Sequence, residues 1–337
     1  MATNSYSSST GLHLDHLTEM MRRHLGAGIV DCFGDPEVSE IYVNADGRVR
    51  LDTRSRGRFA TDEVLDPHRI ESFLNAVASL LETRLDAVHP TLSAELPVAT
   101  FRGARLQGFI PPVSQAPAFL IRLPPSRIFT LDELVAQGSL TQEEQGTLRD
   151  GIRSRLNILV AGGTNTGKTT FVNALLAELS ELCPADRIVL LEDTVELRIA
   201  ATDHLRLRTT AERSLAVLVK EALRASPMRI VVGEVRDHAA ADLLEAWSTG
   251  HPGGMATLHA SDPLGALRRL ERLAQRNSLT QAPLVAEAVD LIVFLELAGQ
   301  VRRVRNLARV AGLGADGEYR LELHSSSSCP GGLSHAS

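Results

Sequence analysis

One octapeptide constrains this chain more than any other feature. Residues 162–169 read Gly-Gly-Thr-Asn-Thr-Gly-Lys-Thr, which fits G-x-x-x-x-G-K-[ST]. An apolar run of strand length, 156–161, comes immediately before it, and a helical pattern over 168–182 follows. The chemistry needs that order. Glycines let backbone N–H groups turn inward around a phosphate, and the helix that starts there adds the positive end of its dipole. At an average glycine usage of about 7%, a chance match in a chain this long is on the order of one in a hundred. In this reading Gly162, Gly163, Thr164, Asn165, Thr166 and Gly167 form the cradle, and Lys168 reaches the β- and γ-phosphates of ATP. The Thr169 hydroxyl holds Mg²⁺, and Thr170 supports the turn. Of the 35 basic residues only Lys168 and Lys220 are lysines. A lysine kept in so arginine-rich a chain points to a need for a compact ammonium instead of a guanidinium fork.

The surrounding pattern supplies a scaffold for such a loop. Strand candidates at 157–161, 187–191, 229–233, 255–259 and 291–295 alternate with helical stretches at 168–182, 212–225, 238–248 and 263–275. Near-continuous apolar strands separated by helices predict an α/β domain with a mostly parallel sheet buried on both faces. Residues 301–310 and 318–323 are expected to add an antiparallel edge pair. Upstream the pattern is mixed. Helical spacing at 12–25 and 70–81 is interleaved with short alternating segments at 39–44, 48–52, 92–98, 105–110 and 119–123. The expected organisation is therefore a frayed tail at 1–11, an α+β domain at 12–123 and a linker or connector at 124–140 opened by Pro124-Pro125. The nucleotide domain at 141–324 and a second frayed tail at 325–337 complete it. Thr141 with Glu144 is a capping-box candidate at the start of a helix.

Two further segments carry chemistry. Leu191-Glu192-Asp193-Thr194-Val195-Glu196 follows the second strand, where carboxylates point at a ligand crevice. Glu192, Asp193 or Glu196 is expected to contact Mg²⁺ or its waters. The third strand ends Val232-Gly233-Glu234-Val235-Arg236, and a carboxylate there can polarise the water that attacks a γ-phosphate. Glu234 is the candidate for that role. A glycine-rich turn, Thr249 to Met255, then enters a strand ending at His259, which stands where a hydrogen bond to the γ-phosphate is possible.

These pieces in this order resemble the secretion-ATPase superfamily: a Walker A loop at 162–169, an Asp box at 188–197, a Walker B region at 229–236 and a His box at 249–260. Ser39-Glu40-Ile41-Tyr42-Val43-Asn44 with Gly47 resembles the start of the family's N-terminal domain, and Phe129-Thr130-Leu131-Asp132-Glu133-Leu134 its connector. Leu96-Pro97, Gly103, Arg105 and Ile110-Pro111-Pro112 look most like the conjugative-transfer traffic ATPases of type IV secretion. Asp237 and Met228 depart from the usual Walker B surroundings, where Gly and Asp are common. The resemblance implies a RecA-like P-loop ATPase domain preceded by a smaller α+β N-terminal domain. It also implies a homohexameric ring and partners among the inner-membrane components of a conjugation machine. Arg105 and Arg122 fall where the family's phosphate-contacting arginines fall; Arg224 and Arg236 are weaker candidates.

Composition narrows the rest. The chain has 337 residues, 44% apolar and 23% charged, with a net charge of −6 and aromatics at 4%. That balance disfavours direct nucleic-acid binding, despite basic stretches such as Arg268, Arg269 and Arg276 or 302–309. Cys32, Cys183 and Cys329 are too scattered for a disulfide framework or a four-Cys metal module. With no spanning apolar run and no leader-like N-terminus, the expected location is the cytoplasm; the family resemblance implies attachment to the inner membrane through partners. The alternatives are a type IV pilus or type II secretion ATPase, a DNA-stimulated motor and a non-hydrolysing nucleotide switch.

Overall fold

The computed structural model describes residues 6–53, 55–125, 127–210, 212–275, 280–299 and 301–324. The expected tail 325–337 and Arg276 lie outside them. The chain divides into two compact units, Met1–Arg127 and Ile128–Ser337.

The first unit opens with helices α1 (Tyr6–Leu25) and α2 (Ala27–Cys32), then strands β1 (Val38–Val43), β2 (Arg48–Thr53) and β3 (Gly57–Val64). Helix α3 (Pro67–Leu80), strand β4 (Thr91–Glu95), the single turn α4 (Val98–Phe101) and strands β5 (Arg105–Phe109) and β6 (Ala118–Arg122) follow. The strands form one antiparallel sheet in the order β3-β2-β1-β6-β5-β4. Met21, Leu25 and Phe33 from the first helical segment, Phe73 and Leu74 from α3, and Ile41, Phe119 and Ile121 from the sheet share its core. A Cβ at Gly108 would lie 2.5 Å from Leu74, so α3 packs directly on the backbone of β5. Asp66 caps α3 by accepting from the His68 amide at 2.8 Å, with Pro67 at the first helical position.

Two expectations change here. Helix α1 begins at Tyr6, inside the stretch 1–11 expected to fray. The strand expected over 92–98 ends at Glu95, because Pro97 has no N–H for a ladder and instead starts α4.

The second unit begins with α5 (Leu131–Ala136), α6 (Gln142–Arg153), β7 (Ile158–Gly162), α7 (Lys168–Leu182), β8 (Ile188–Glu192) and β9 (His204–Arg208). It continues through α8 (Leu215–Ala222) with a 3-10 turn at Leu223–Ala225, β10 (Arg229–Val232), α9 (Ala239–Ser248), β11 (Met255–His259) and α10 (Pro263–Ala274). Helix α11 (Ala282–Ala288) and strands β12 (Leu291–Ala298), β13 (Val301–Leu313) and β14 (Tyr319–His324) complete it. Leu131, Leu134 and Leu140 are buried in this unit, so most of the stretch expected as a connector belongs to its core.

The sheet order is β14-β13-β12-β7-β11-β10-β8-β9. Strands β9, β8, β10, β11, β7 and β12 run parallel; β13 and β14 are the antiparallel edge. The strand period of two sorts the side chains cleanly. Leu159, Ala161, Val189, Leu191 and Ile230 enter one core with α8 to α11, while Ile158, Val160, Ile188, Leu190 and Val231 enter another with α5 to α7. Both faces are thus covered, and the C-terminal ends of β7, β11, β10 and β8 come together at one edge. At the opposite edge Arg229 is fully buried. It pairs with Asp186 at 2.6 Å and donates to the carbonyls of Ile152 and Gly253.

Candidate active site

The Gly162–Thr169 loop leaves β7 and enters α7 as its residues require. Asn165 (φ 61°) and Gly167 (φ 90°) both take the left-handed conformation. A Cβ at Gly162 would lie 2.6 Å from the Leu295 carbonyl and 2.7 Å from the Thr166 hydroxyl, so only glycine permits this close approach. The Thr166 hydroxyl donates to the Gly163 carbonyl at 3.0 Å. Arg302 of β13 lies against the loop and donates from Nε to the Asn165 carbonyl at 3.0 Å. Nothing in the sequence singles out Arg302 among so many arginines.

Lys168 is the pivot. Its ammonium is buried and donates to the carbonyls of Gly163 at 2.6 Å and Gly162 at 3.1 Å. Burial pulls its pKa down to about 8, against a smaller upward pull from the Glu234 charge. A polyphosphate in the loop would supply the anionic partner that these carbonyl dipoles only approximate. Lys168 Nζ also lies 3.3 Å from His259 Nδ1. His259 ends β11, directly opposite Gly162 in the parallel register. Burial, then the Lys168 charge, hold the imidazole below its ordinary pKa, with Glu234 opposing. Its other ring nitrogen, Nε2, faces Glu234 Oε1 at 3.4 Å.

Glu234 follows the end of β10. The backbone there is fixed by β11, since Val235 N–H donates to the Thr257 carbonyl and the Thr257 hydroxyl to the Gly233 carbonyl at 2.6 Å. Burial alone would raise the Glu234 pKa. The hydrogen bond and charge of Arg236, then the charges of His259 and Lys168, outweigh it and hold the carboxylate below its usual range. Arg236 Nη2 donates to Glu234 Oε2 at 2.7 Å.

Beside β8, the structure separates three acids that sequence alone leaves equivalent. Glu192, expected at the metal, is turned inward and buried. Its Oε1 accepts from the amides of Glu196 and Leu197 at 2.8 and 2.7 Å, and its other oxygen pairs with Arg206. Burial raises its pKa against those hydrogen bonds. It braces the loop after β8 and is spent on that task. Asp193 accepts from the Thr209 hydroxyl at 3.2 Å and lies 3.6 Å from Arg236 Nη1. Glu196 is the acid that reaches the Thr169 hydroxyl, at 3.3 Å. One hydroxyl beside one carboxylate suits Mg²⁺, which keeps several waters and takes its remaining oxygens from phosphates. Among the described residues no group of three or more His, Cys, Asp or Glu could hold a metal ion.

Other residues fall elsewhere. The candidate Arg224 donates to the Lys220 carbonyl in its own turn, and His251 of the glycine-rich turn meets the Pro227 carbonyl at 3.0 Å. In the first unit, Arg105 and Arg122 face each other in register on β5 and β6. Arg122 is paired at 2.7 Å with Glu40, a buried carboxylate.

A family model described as type II/IV secretion system protein matches residues 24–329. The chain belongs to that family. The conjugal transfer protein TrbB of Rhizobium radiobacter is 40% identical over 297 residues, covering 88% of this chain and 91% of the relative. A probable TrbB of Sinorhizobium fredii is 40% identical over 307 residues, covering 91% and 93%. Among solved structures, the pilus retraction motor PilT with bound ADP aligns at a TM-score of 0.60 and 20% identity, covering 89% of this chain and 83% of that one. The last likeness concerns the fold: the secretion-family architecture of a P-loop domain with a mostly parallel sheet and a smaller α+β unit before it. Among the described residues of this family member, no helix is long and apolar enough to cross a membrane.

Proposed function

We propose that this chain hydrolyses ATP with Mg²⁺ at the Gly162–Thr169 loop and works as a ring-shaped motor in conjugative transfer. The observation that carries the reading is the convergence of Lys168, His259 and Glu234 beside the ends of β7, β11 and β10, with His259 lying 3.3 Å from Lys168 and 3.4 Å from Glu234. Phosphoryl transfer asks little covalent chemistry of a protein. It asks for charge at the phosphates, a held water and fixed geometry. Lys168 gives up its carbonyl partners to bind the β- and γ-phosphates. Thr169 and Glu196 would hold Mg²⁺, which would supply neutralising charge at the phosphates. Glu234 accepts a hydrogen bond from the attacking water and orients it in line with the bond to be broken. His259, bridging Lys168 and Glu234, registers whether a γ-phosphate is present. By the family resemblance, Arg105 and Arg122 are the candidate phosphate-contacting arginines.

The 40% identity to conjugal transfer proteins favours conjugation over a pilus or type II role. The homohexameric ring, the inner-membrane partners and a cytoplasmic, peripherally attached location are proposed from the family resemblance of the motifs. The test is steady-state ATP hydrolysis by the purified chain across a protein-concentration series, with and without single-stranded DNA. Turnover that rises cooperatively with concentration, ignores DNA and vanishes in Lys168→Ala is the expected result. A wild type that binds ATP and never hydrolyses it, even when assembled, overturns the proposal in favour of a nucleotide switch. Strong stimulation by DNA overturns it in favour of a nucleic-acid motor.

A further inference from the structure

Arg236 stands next to the nucleotide loop, yet its partners are two carboxylates. Nη2 donates to Glu234 Oε2 at 2.7 Å, and Nη1 lies 3.6 Å from Asp193 Oδ2. Asp193 is itself tethered on the far side by the Thr209 hydroxyl, just beyond β9. On the near side Glu234 Oε1 faces His259 Nε2, and His259 Nδ1 faces the Lys168 ammonium. A continuous line of polar contacts therefore crosses the ends of β9, β8, β10 and β11 and finishes at the first residue of α7. Arg236 is the link that joins the acidic segment after β8 to the acid after β10.

We infer that Arg236 is a positioning residue for hydrolysis: clasped to Asp193, it fixes the Glu234 carboxylate by one oxygen and leaves the other aimed past His259 at the nucleotide loop. The inference rests on the reading of Glu234 as the group that orients the attacking water. The physical ground is geometric. A glutamate reaches its carboxylate through three rotatable bonds, and a displacement of about 1 Å in such a group costs about a hundredfold in rate. A guanidinium, planar and forked, presents two N–H groups to two carboxylates without bending, whereas an ammonium makes one such contact at a time. The Arg236 side chain is 52% exposed, so removing it opens no cavity in the core and its surface ion pairs add little to folding. A role in placement is thereby separable from a role in stability. Nη1 and Nη2 of Arg236 both face acids, which also separates this role from a direct phosphate contact.

The experiment compares wild type, Arg236→Gln, Arg236→Lys, Asp193→Asn, the Arg236→Gln/Asp193→Asn double variant and Glu234→Gln, all as the full chain. Each is measured for kcat, KM, affinity for a non-hydrolysable ATP analogue and melting midpoint. Arg236→Gln is expected to lower kcat by about a hundredfold with analogue affinity and melting midpoint unchanged. Arg236→Lys should recover part of that loss. Asp193→Asn should cause a smaller fall, and the double variant should be no worse than Arg236→Gln alone, since the two residues act through one clasp. An unchanged kcat in Arg236→Gln overturns the inference. So does a loss that appears in analogue affinity, which would make Arg236 a phosphate contact, or one that tracks a lowered melting midpoint. Additive losses in the double variant overturn the Asp193 half of the clasp. Glu234→Gln separates the two layers: if it alone keeps wild-type turnover, the reading of Glu234 fails; if it is inactive and Arg236→Gln is not, that reading stands and the clasp fails.

Discussion

The buried ammonium of Lys168 makes nucleotide affinity depend on pH in a calculable way. Burial brings Lys168 down to about 8, from an ordinary value of 10.5. A seated polyphosphate favours the charged form and returns the group at least to that ordinary value. The sign follows from linkage. Between the two values the free protein has released a proton that the bound form keeps, so binding takes up a proton and weakens as pH rises. Affinity for a non-hydrolysable ATP analogue should therefore be nearly flat below pH 7.5 and should fall about twentyfold between pH 7.5 and 9.5. Isothermal titration at pH 9 in two buffers of different ionisation enthalpy should show uptake approaching one proton per nucleotide, and a proton-silent binding curve in Lys168→Met. An affinity independent of pH over this range, with no buffer-dependent heat, would refute the claim that the ammonium meets the phosphates from a desolvated seat.

Three other outcomes follow from the same geometry. Thr169→Ala or Glu196→Gln should raise the Mg²⁺ concentration for half-maximal turnover by about tenfold, whereas Glu192→Gln should act on folding through the loop after β8; Mg²⁺ titrations beside melting curves separate the two. Arg229→Leu leaves the buried Asp186 carboxylate with Arg155 alone and unpairs the Ile152 and Gly253 carbonyls from the guanidinium, and it should destabilise the second unit by about 3 kcal/mol in denaturant titration, with nucleotide affinity at low denaturant unchanged. Two glycines should respond oppositely to alanine: at Gly254 a Cβ would sit 2.0 Å from Trp247 Nε1 and should cost about 2 kcal/mol, whereas exposed Gly146 inside α6 has open space and should gain about 0.5–1 kcal/mol.

The parts of the fold that the sequence displays are those buried on both faces. Ile158 to Ala161, Ile188 to Leu191 and Ile230 to Val232 are unbroken apolar runs because α-helices cover each side of the parallel sheet. Strands at the margins carry no such mark. Strand β9, with the sequence His-Leu-Arg-Leu-Arg, and the half-exposed β3 pair at sheet edges and show no run to find. Helix α11 is only seven residues long, too short to declare a period. The loop that holds phosphate is legible because its glycines are required by backbone geometry. The acids after β8 are not, because spacing cannot tell an inward Glu192 from an outward Glu196; only the Arg206 partner and the amides of Glu196 and Leu197 decide it. Arg236 reads on sequence as one more arginine near phosphate, and its engagement with Glu234 and Asp193 is visible only in three dimensions.

The most direct test of the account is a single-turnover experiment on the assembled wild type and Glu234→Gln, with ATP binding and phosphate release followed in the same samples. The account predicts that Glu234→Gln binds ATP as tightly as wild type and releases phosphate at least a hundredfold more slowly. Equal rates of phosphate release from the two proteins would contradict it.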